Sequence, residues 1–314
     1  MAVPFDRDFE PVYGRVDQVT PRVRRVVAEN PGRFTFTGTG TYIVGHGRVA
    51  VIDPGPLIDA HVDALTAALA GETVTHILIT HTHGDHSPAA APLKERTGAP
   101  TYGFGPHPVA DIEARRAASA AAGTANETPQ EERSDTTFVP DVATRDGDII
   151  AGDGWTIEAL HTPGHISNHL CFALAEEKIL FTGDHVMGWS TSVIPSPDGN
   201  LTDYMRNLRR LLDRDETTYW PTHGPPITHP HDYVRALIAH REERTNQVLA
   251  RLAAGDRTAM EIVRSVYTHV DEALYPAAAG SVLAHLVALR DEGRVTSDGG
   301  EGPDDPWHLT GGST

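Results

Sequence analysis

The amino-acid sequence predicts two domains, a larger one that combines strands with helices and a small helical one behind it. Short apolar runs typical of buried strands recur up to about residue 220, and several end in loops that contain Gly, Pro, His and Asp. From about residue 232 the pattern becomes helical, with charged residues grouped away from apolar ones. A chain of 314 residues with 39% hydrophobic content is large enough for two cores. We therefore divide the chain into residues 1–230 and 231–314.

The densest group of metal-binding side chains lies in residues 80–86, directly after the apolar run 77–79. The group contains His81, His83, Asp85 and His86. Neutral imidazole and carboxylate are the ligands that a cation such as zinc prefers. His81 and His83 lie two positions apart and can share one metal. Asp85 and His86 can turn towards a second metal, as in hydrolases that use two metals.

Three later strand-like runs end in loops of the same kind. Residues 157–160 lead into His161-Thr162-Pro163-Gly164-His165, residues 179–181 into Thr182-Gly183-Asp184-His185, and residues 218–220 into Pro221-Thr222-His223-Gly224. Glycine and proline suit sharp turns in which the backbone closely approaches a site. Together the four loops supply seven candidate metal ligands, which are His81, His83, Asp85, His86, His165, Asp184 and His223.

These motifs, in this order, resemble those of the metallo-β-lactamase superfamily. H-x-H-x-D-H, T-P-G-H, G-D-H and P-x-H-G all occur between about residues 30 and 230, and Asp53-Pro54-Gly55 is similar to the family's Asp-x-Gly turn. The resemblance implies an α/β fold, a four-layer αββα metallo-β-lactamase sandwich with the metals at one edge of its two sheets. It also implies two zinc ions per chain, with iron or manganese as alternatives. The implied ligands are His81, His83 and His165 for one ion, and Asp85, His86, Asp184 and His223 for the other.

The C-terminal residues predict three helices followed by a β-hairpin. The helices are expected over residues 232–253, from the capping box of Thr258 and Glu261, and over residues 277–292, and the hairpin joins 294–296 to 307–309. This order is typical of a winged helix, and it resembles the C-terminal module of the lactamase-β-2-like branch. From His229 to Thr314 there are eight Arg, no Lys and thirteen Asp or Glu. Because the unit is acidic, DNA is not an expected partner.

The implied chemistry is hydrolysis by two adjacent cations. A hydroxide that bridges the metals attacks the substrate, and Asp85 orients it and passes a proton to the leaving group. We expect a small ester or thioester, because the net charge of −17 disfavours RNA. A metal-dependent single-strand endoribonuclease is the alternative, with RNA held near Arg206, Arg209 and Arg210. A non-catalytic binding scaffold is a third interpretation, which the complete ligand set opposes.

The residues around the implied ligands give weaker signals. His161, His169 and His185 are expected to orient the ligands or to pack beside them. The residues that follow the metal-binding aspartate are predicted to form the wall of the substrate pocket, and they are Trp189, Ser190 and Thr191. Residues 106–140 are interpreted as a flexible flap over the site, with an inert surface loop as the alternative.

The cysteine content and the chain start bear on the cellular compartment. The single cysteine, Cys171, lies in an apolar run and is expected to be a buried thiol, which excludes a disulfide framework. Zinc β-lactamases commonly have a cysteine at the position of Asp184, so the resemblance disfavours antibiotic hydrolysis. The chain does not begin with a basic region followed by an apolar stretch, and it has no run of 18 apolar residues. We therefore expect a cytoplasmic enzyme for a small molecule, with no membrane partner.

Overall fold

Two β-sheets lie face to face in the larger part of the chain. The computed structural model describes residues 2–110, 112–113, 134–195, 197–268 and 271–311. The first sheet contains, in spatial order, β1 (Val16–Thr20), β2 (Val23–Val27), β3 (Gly40–Val44), β4 (Arg48–Ile52), β5 (Thr73–Leu78), β6 (Thr101–Gly103) and β7 (Val142–Ala143). The second sheet contains β8 (Ile149–Ala151), β9 (Thr156–His161), β10 (Leu170–Leu174), β11 (Ile179–Gly183) and β12 (Thr218–Pro221).

Each sheet combines antiparallel pairs with parallel ones. In the first sheet β1 to β4 are antiparallel neighbours and β4 to β7 are parallel neighbours. In the second sheet β8 to β11 are antiparallel neighbours, and β12 runs parallel to β11. Parallel neighbours need a crossover connection, which helices usually supply. Helices α1 (Asp59–Ala68), α2 (Ala90–Thr97) and α3 (Leu201–Leu211) have this role between β4 and β5, β5 and β6, and β11 and β12.

The helices cover the outer face of each sheet. Leu65 of α1 and Leu93 of α2 share an apolar cluster with residues of the first sheet. Leu208 of α3 packs in a cluster with the second sheet, together with the first turns of α4 (Pro230–Ala254). The facing sides of the two sheets form a third cluster that contains Tyr42 and Phe172. The resulting order of helix, sheet, sheet and helix confirms the predicted αββα layers.

A separate core forms beyond the sandwich. The second half of α4, α5 (Ala259–Val266), α6 (Tyr275–Asp291) and the antiparallel hairpin of β13 (Val295–Ser297) and β14 (Trp307–Leu309) enclose it, and Trp307 is fully buried there. Both halves of the predicted capping box are present at the start of α5, where Thr258 and Glu261 exchange hydrogen bonds with the backbone. The observed bounds agree with the predicted ones to within about two residues, which is ordinary variation at element ends.

The most apolar helix among the described residues belongs to this second core. The segment Glu272–Asp291 has a mean hydropathy of 1.3, so by length and composition alone it could cross a membrane. The core helix of a soluble protein passes the same test. Here Val282, Leu283, Leu286 and Leu289 are buried among residues of α4, α5 and the hairpin. The expectation that the chain has no membrane partner stays a prediction.

The predicted flap over residues 106–140 is described only at its two ends. Residues 111 and 114–133, which include most of it, lie outside the described residues. At the C-terminal end the Asp135 N–H donates a hydrogen bond of 2.6 Å to the Thr82 carbonyl, and the Ser87 hydroxyl donates one of 2.8 Å to the Asp135 carboxylate. Phe138 is buried in the core beside the first sheet. Asp135 is therefore bonded to the loop that carries four of the predicted ligands, and Phe138 packs beside the first sheet. The flap itself stays a prediction.

Two leucines offer a matched test of how the helical layer stabilises the sandwich. Leu65 on α1 is 1% exposed and Leu57, in the loop before it, is 64% exposed. Leu65→Ala is expected to cost about 2–5 kcal/mol of unfolding free energy, because it removes buried methyl groups and leaves a cavity. Leu57→Ala is expected to cost less than about 0.5 kcal/mol. Urea unfolding of both metal-free variants measures the difference, and equal midpoints would contradict the observed packing of α1.

Candidate metal centre

The seven predicted ligands follow four strand ends at one edge of the sandwich. His81, His83, Asp85 and His86 follow β5, His165 follows β9, Asp184 follows β11 and His223 follows β12. All seven side chains are buried, and their ligand atoms form three overlapping groups, each with its atoms within 4.8 Å of one another. The structure thus brings together every predicted ligand, including those separated by more than a hundred positions in the chain.

A glycine sets the direction of Asp184 at the end of β11. Gly183 has a φ of +51°, and a Cβ added there would lie 2.6 Å from Nε2 of His169. A larger residue would therefore be strained by the backbone torsion and would also collide with the neighbouring ring. The Gly183 turn is what allows the aspartate to point from the end of a buried strand into the cluster.

The first group consists of His81, His83 and His165. Nδ1 of His83 lies 3.0 Å from Nε2 of His81 and 3.0 Å from Nε2 of His165. Burial lowers the pKa of all three imidazoles below the ordinary value, so they are neutral. His165 donates its Nδ1 proton to the carbonyl of Val193, which leaves an unprotonated Nε2 that faces the group.

A hydrogen bond to Thr80 fixes the tautomer of His81. The Thr80 hydroxyl lies 2.7 Å from the Asp53 carboxylate and donates its proton there, so it accepts a hydrogen bond from Nδ1 of His81 at 3.0 Å. Nε2 of His81 therefore carries a lone pair, like Nε2 of His165. Two lone pairs that converge within 3.0 Å of a third ring nitrogen fit a cation with imidazole ligands.

The second group contains Asp85, His86, Asp184 and His223. Oδ2 of Asp85 lies 3.2 Å from Nε2 of His223 and 3.4 Å from Nε2 of His86. Oδ1 of Asp184 lies 3.4 Å from Nε2 of His223 and 3.7 Å from Nε2 of His86. Two imidazoles and two carboxylates facing one point form a donor set that suits zinc.

Charge and hydrogen bonding in the second group also fit a cation. His86 donates its Nδ1 proton to Asp53 at 2.9 Å, and His223 donates its Nδ1 proton to the Gly38 carbonyl at 3.1 Å. Burial opposes protonation of His223, but Asp184 and Asp85 outweigh it and raise its pKa to about 10. Burial likewise opposes protonation of His86, and its carboxylate neighbours raise its pKa well above the ordinary value. The carboxylates thus create a negative electrostatic potential, which a bound cation can neutralise.

Asp184 lies between the two groups. In addition to its contacts in the second group, its Oδ2 lies 3.8 Å from Nε2 of His165 in the first group. Its Oδ1 is buried and makes no hydrogen bond within the described part of the chain, as is true of Nε2 of His86. Buried polar atoms are rarely left without a partner, so these two atoms also indicate a ligand-binding position. The geometry would allow Asp184 to contact both cations.

A buried carboxylate that sequence reasoning did not assign a role supports the cluster from behind. Asp53 accepts hydrogen bonds from the Thr80 N–H at 2.8 Å, the His86 Nδ1–H at 2.9 Å and the Thr222 hydroxyl at 3.2 Å. It thereby fixes the tautomer of one predicted ligand and two loops that carry others. The Asp53-Pro54-Gly55 turn was a visible signal in the sequence. The partners of the Asp53 carboxylate were not visible there, because they depend on tertiary contacts.

Of the three histidines predicted to lie around the ligands, one contacts them and the other two pack against aromatic rings. His169 is part of the site, because its Nε2 accepts a hydrogen bond of 3.1 Å from the Asp184 N–H and its ring lies 5.0 Å from that of His81. His185 is fully buried and packs edge-on against Tyr204, with no hydrogen bond at either ring nitrogen among the described residues. His161 stacks on Phe104 with ring centroids 3.9 Å apart, and its Nε2 donates a hydrogen bond of 2.9 Å to the Ser167 carbonyl.

The cavity at the cluster has an apolar wall. Its lining residues are Phe34, Thr35, His83, Asp85, His165, Asp184, Met187, Val193 and His223. Trp189, Ser190 and Thr191, which the sequence suggested for the pocket wall, are not among these lining residues. Trp189 instead stacks on Phe36, with ring centroids 4.9 Å apart and an interplanar angle of 10°. A role for these three residues in substrate binding stays a prediction.

The single cysteine is buried and inert. Cys171 lies on β10, and burial raises the pKa of its thiol to about 12. Its sulfur lies 3.3 Å from the Thr162 hydroxyl. A thiol that stays protonated at neutral pH is a poor nucleophile and a poor metal ligand, which agrees with the packing role expected for it.

Comparison with known proteins agrees with the fold and the cluster. The family model of the metallo-beta-lactamase superfamily matches residues 35–223, a span that includes all seven candidate ligands. The model of the beta-lactamase associated winged helix domain matches residues 258–307. A crystal structure of a metallo-beta-lactamase family protein from Thermus thermophilus superposes with a TM-score of 0.75 at 28% identity and covers 93% of this chain and 100% of its own.

Two fungal proteins extend the similarity along the sequence. The lactamase-like protein adaB of Aspergillus niger is 31% identical over 306 residues, which are 92% of this chain and 86% of the relative. The atrochrysone carboxyl ACP thioesterase of Claviceps purpurea (strain 20.1) is 34% identical over 240 residues, which are 76% of this chain and 67% of the relative. The prediction of a metal-dependent hydrolase with a C-terminal winged helix is thereby confirmed at the level of the family. The chain belongs to the metallo-beta-lactamase superfamily.

Proposed function

We propose that this chain is a hydrolase of small acyl thioesters that uses two zinc ions. The observation that carries the proposal is the convergence of seven His and Asp side chains beside a cavity with an apolar wall. Five of them, His83, Asp85, His165, Asp184 and His223, line that cavity, so a substrate in it would meet the ligand atoms directly.

The two groups of ligands would hold one cation each. His81, His83 and His165 would hold the first, and Asp85, His86 and His223 the second, with Asp184 in reach of both. When bound, two such cations acidify water and polarise an acyl carbonyl. The chain itself orients the ligands, through Val193 behind His165, Asp53 behind His86 and Gly38 behind His223. Imidazole and carboxylate are ligands that zinc prefers, and hydrolysis needs no change in the oxidation state of the metal.

The cavity lining favours a leaving group that departs without strong acid catalysis. Among the described residues that line the cavity, the acid–base groups are all candidate metal ligands. Thr35, the remaining polar residue there, donates its hydroxyl proton to the Asn30 carbonyl. A thiol has a pKa of about 8.5, so a thiolate leaves far more readily than an amine or an alkoxide. Asp85 would take a proton from the attacking water at its carboxylate.

The apolar side of the cavity suits the acyl part of such a substrate. Phe34, Met187 and Val193 provide aromatic, flexible and branched apolar surface beside the candidate ligands. The Claviceps purpurea relative is named atrochrysone carboxyl ACP thioesterase, which supports the thioester class. We limit the proposal to a small acyl thioester and leave the identity of the acyl group to experiment.

RNA fits the surface less well. The three arginines that could have formed a basic groove are each paired with an acid, Arg206 with Asp203 at 2.8 Å, Arg209 with Glu242 at 2.9 Å and Arg210 with Asp146 at 2.7 Å. With these charges compensated and a net charge of −17, the chain offers little attraction to a polyanion.

A reconstitution experiment tests the proposed function. Protein stripped of metal with a chelator is expected to be inactive, and addition of about two equivalents of zinc is expected to restore hydrolysis of acyl thioesters. The assay would compare thioesters with the matching oxygen esters, single-stranded RNA and a β-lactam. Hydrolysis of thioesters by the metal-free protein, or cleavage of RNA with no turnover of any thioester, would contradict the proposal.

A further inference from the structure

A chain of hydrogen bonds reaches Asp85 from a part of the fold that supplies none of the seven ligands. The Thr39 hydroxyl lies 3.0 Å from Oδ2 of Asp85, and Asn30 contacts Thr39 twice. Nδ2 of Asn30 lies 2.9 Å from the Thr39 hydroxyl, and the Thr39 N–H lies 2.9 Å from Oδ1 of Asn30. Thr39 is fully buried just before β3, so this contact is shielded from water.

The donor and the acceptor of each hydrogen bond between Asn30, Thr39 and Asp85 are fixed. The Thr39 N–H can only donate, which makes the facing atom of Asn30 its carbonyl oxygen and the other atom its NH₂ group. The NH₂ group can only donate, so the Thr39 hydroxyl accepts from it. The hydroxyl proton is then directed to Oδ2 of Asp85, which is the acceptor at 3.0 Å. Asn30 therefore orients the hydroxyl, and the hydroxyl holds one carboxylate oxygen of Asp85.

That same oxygen is the one that faces the second group. Oδ2 of Asp85 lies 3.2 Å from Nε2 of His223 and 3.4 Å from Nε2 of His86. The residue before Thr39 also contributes, because the Gly38 carbonyl accepts the Nδ1 proton of His223. The loop between β2 and β3 thus fixes an oxygen of one candidate ligand and the tautomer of another. The loop passes close to Ala28 at Gly38, which has a φ of +127° and where an added Cβ would lie 2.2 Å from the Ala28 carbonyl oxygen, so only glycine fits there.

We propose that Thr39, oriented by Asn30, is a positioning residue that holds Asp85 for the second cation. The hydrogen bond restricts rotation of the Asp85 carboxylate and keeps Oδ2 between His86 and His223. Without it the carboxylate gains rotational freedom and the second cation loses a preorganised ligand. The part of the proposal that concerns turnover rests on the proposed hydrolase function, whereas the part that concerns cation affinity does not.

The test compares two threonines of the same loop. Thr39→Val removes the hydroxyl at nearly constant volume, and Thr39→Ser keeps it. Thr37→Val is the matched control, because the Thr37 hydroxyl is buried without a hydrogen-bond partner in the described structure. Asn30→Asp is a fourth variant, in which an acceptor replaces the NH₂ group and competes with Asp85 for the hydroxyl proton.

The readout is zinc affinity of the metal-free protein by competition with a chelating dye, followed by kcat and KM on a thioester. Thr39→Val is expected to weaken the second zinc equivalent by roughly 10- to 100-fold and to lower kcat with little change in KM. Asn30→Asp is expected to act in the same direction. Thr39→Ser and Thr37→Val are expected to match wild type. Urea unfolding of each metal-free variant shows whether it is folded.

Three results would overturn the proposal. A folded Thr39→Val variant that binds the second zinc as wild type does would show that Thr39 does not position Asp85. A Thr37→Val variant as weak as Thr39→Val would reduce the effect to general packing of the loop. A wild-type protein that binds fewer than two cations would overturn both this proposal and the proposed function. A wild-type protein that binds two cations but hydrolyses no thioester would overturn the proposed function alone, and the affinities would still decide the role of Thr39.

Discussion

Asp85→Asn is expected to lower kcat on a thioester by roughly 10²- to 10⁴-fold while the fold stays intact. The carboxylate lines the cavity, and its Oδ2 lies within 3.4 Å of Nε2 of both His86 and His223. The amide of asparagine keeps the shape but is not a proton acceptor at neutral pH and carries no charge for a cation. Burial opposes ionisation of Asp85, but His86 and His223 outweigh it and lower its pKa to about 2, so the group that is lost is an anion.

The control for this variant is the same change on the surface. The Asp63 side chain is 75% exposed, and Asp63→Asn is expected to leave kcat and metal content unchanged. Steady-state kinetics, zinc content and circular dichroism should be measured on both proteins. Wild-type turnover by a folded Asp85→Asn variant would contradict the assignment of Asp85 to the reacting centre.

Asp53→Asn is expected to weaken zinc binding by roughly 10- to 100-fold, although Asp53 is not one of the seven candidate ligands. Asp53 accepts four hydrogen bonds, from the Thr80 N–H, the Thr80 hydroxyl, the His86 ring and the Thr222 hydroxyl, and these fix His86 and the loops after β5 and β12. In the variant an NH₂ group must face some of these donors, which leaves at least one buried group unsatisfied. The expected loss of unfolding free energy is about 1–3 kcal/mol.

The backbone at Asp53 makes asparagine an informative replacement. Its φ is +47°, a region that asparagine tolerates about as well as aspartate does, so the change adds little strain. A loss of zinc affinity can therefore be attributed to the side chain. Zinc affinity and urea midpoint would be measured against wild type and Asp63→Asn. Unchanged values for both would contradict the role of Asp53 as the support of His86.

The ligands were predictable because each lies in a short, local sequence pattern. His81 and His83 are two residues apart after an apolar run, and His165, Asp184 and His223 each follow a strand with glycine nearby. The strand ends then had only to meet at one edge. The αββα layers followed from the resemblance that these motifs carry. The winged helix could be predicted from helical periodicity and from the capping box at Thr258.

The supporting residues could not be predicted, because their partners are set by tertiary distances. Thr39 and Asp85 are 46 residues apart, and Thr222 and Asp53 are 169 residues apart. No periodic pattern connects such positions. The direction of the Trp189 side chain could not be predicted for a related reason. Trp189 follows Asp184 closely in sequence, but it lies in an irregular stretch where side-chain direction does not alternate predictably, and it stacks on Phe36.

A diffraction experiment at the zinc absorption edge, on protein purified without chelators, tests the proposed centre of two zinc ions most directly. We expect two anomalous peaks, one among the ring nitrogens of His81, His83 and His165 and the other among Asp85, His86 and His223. Elemental analysis of the same protein should give about two zinc atoms per chain. A single peak, a peak only at the iron edge, or a peak away from these side chains would contradict a centre of two zinc ions.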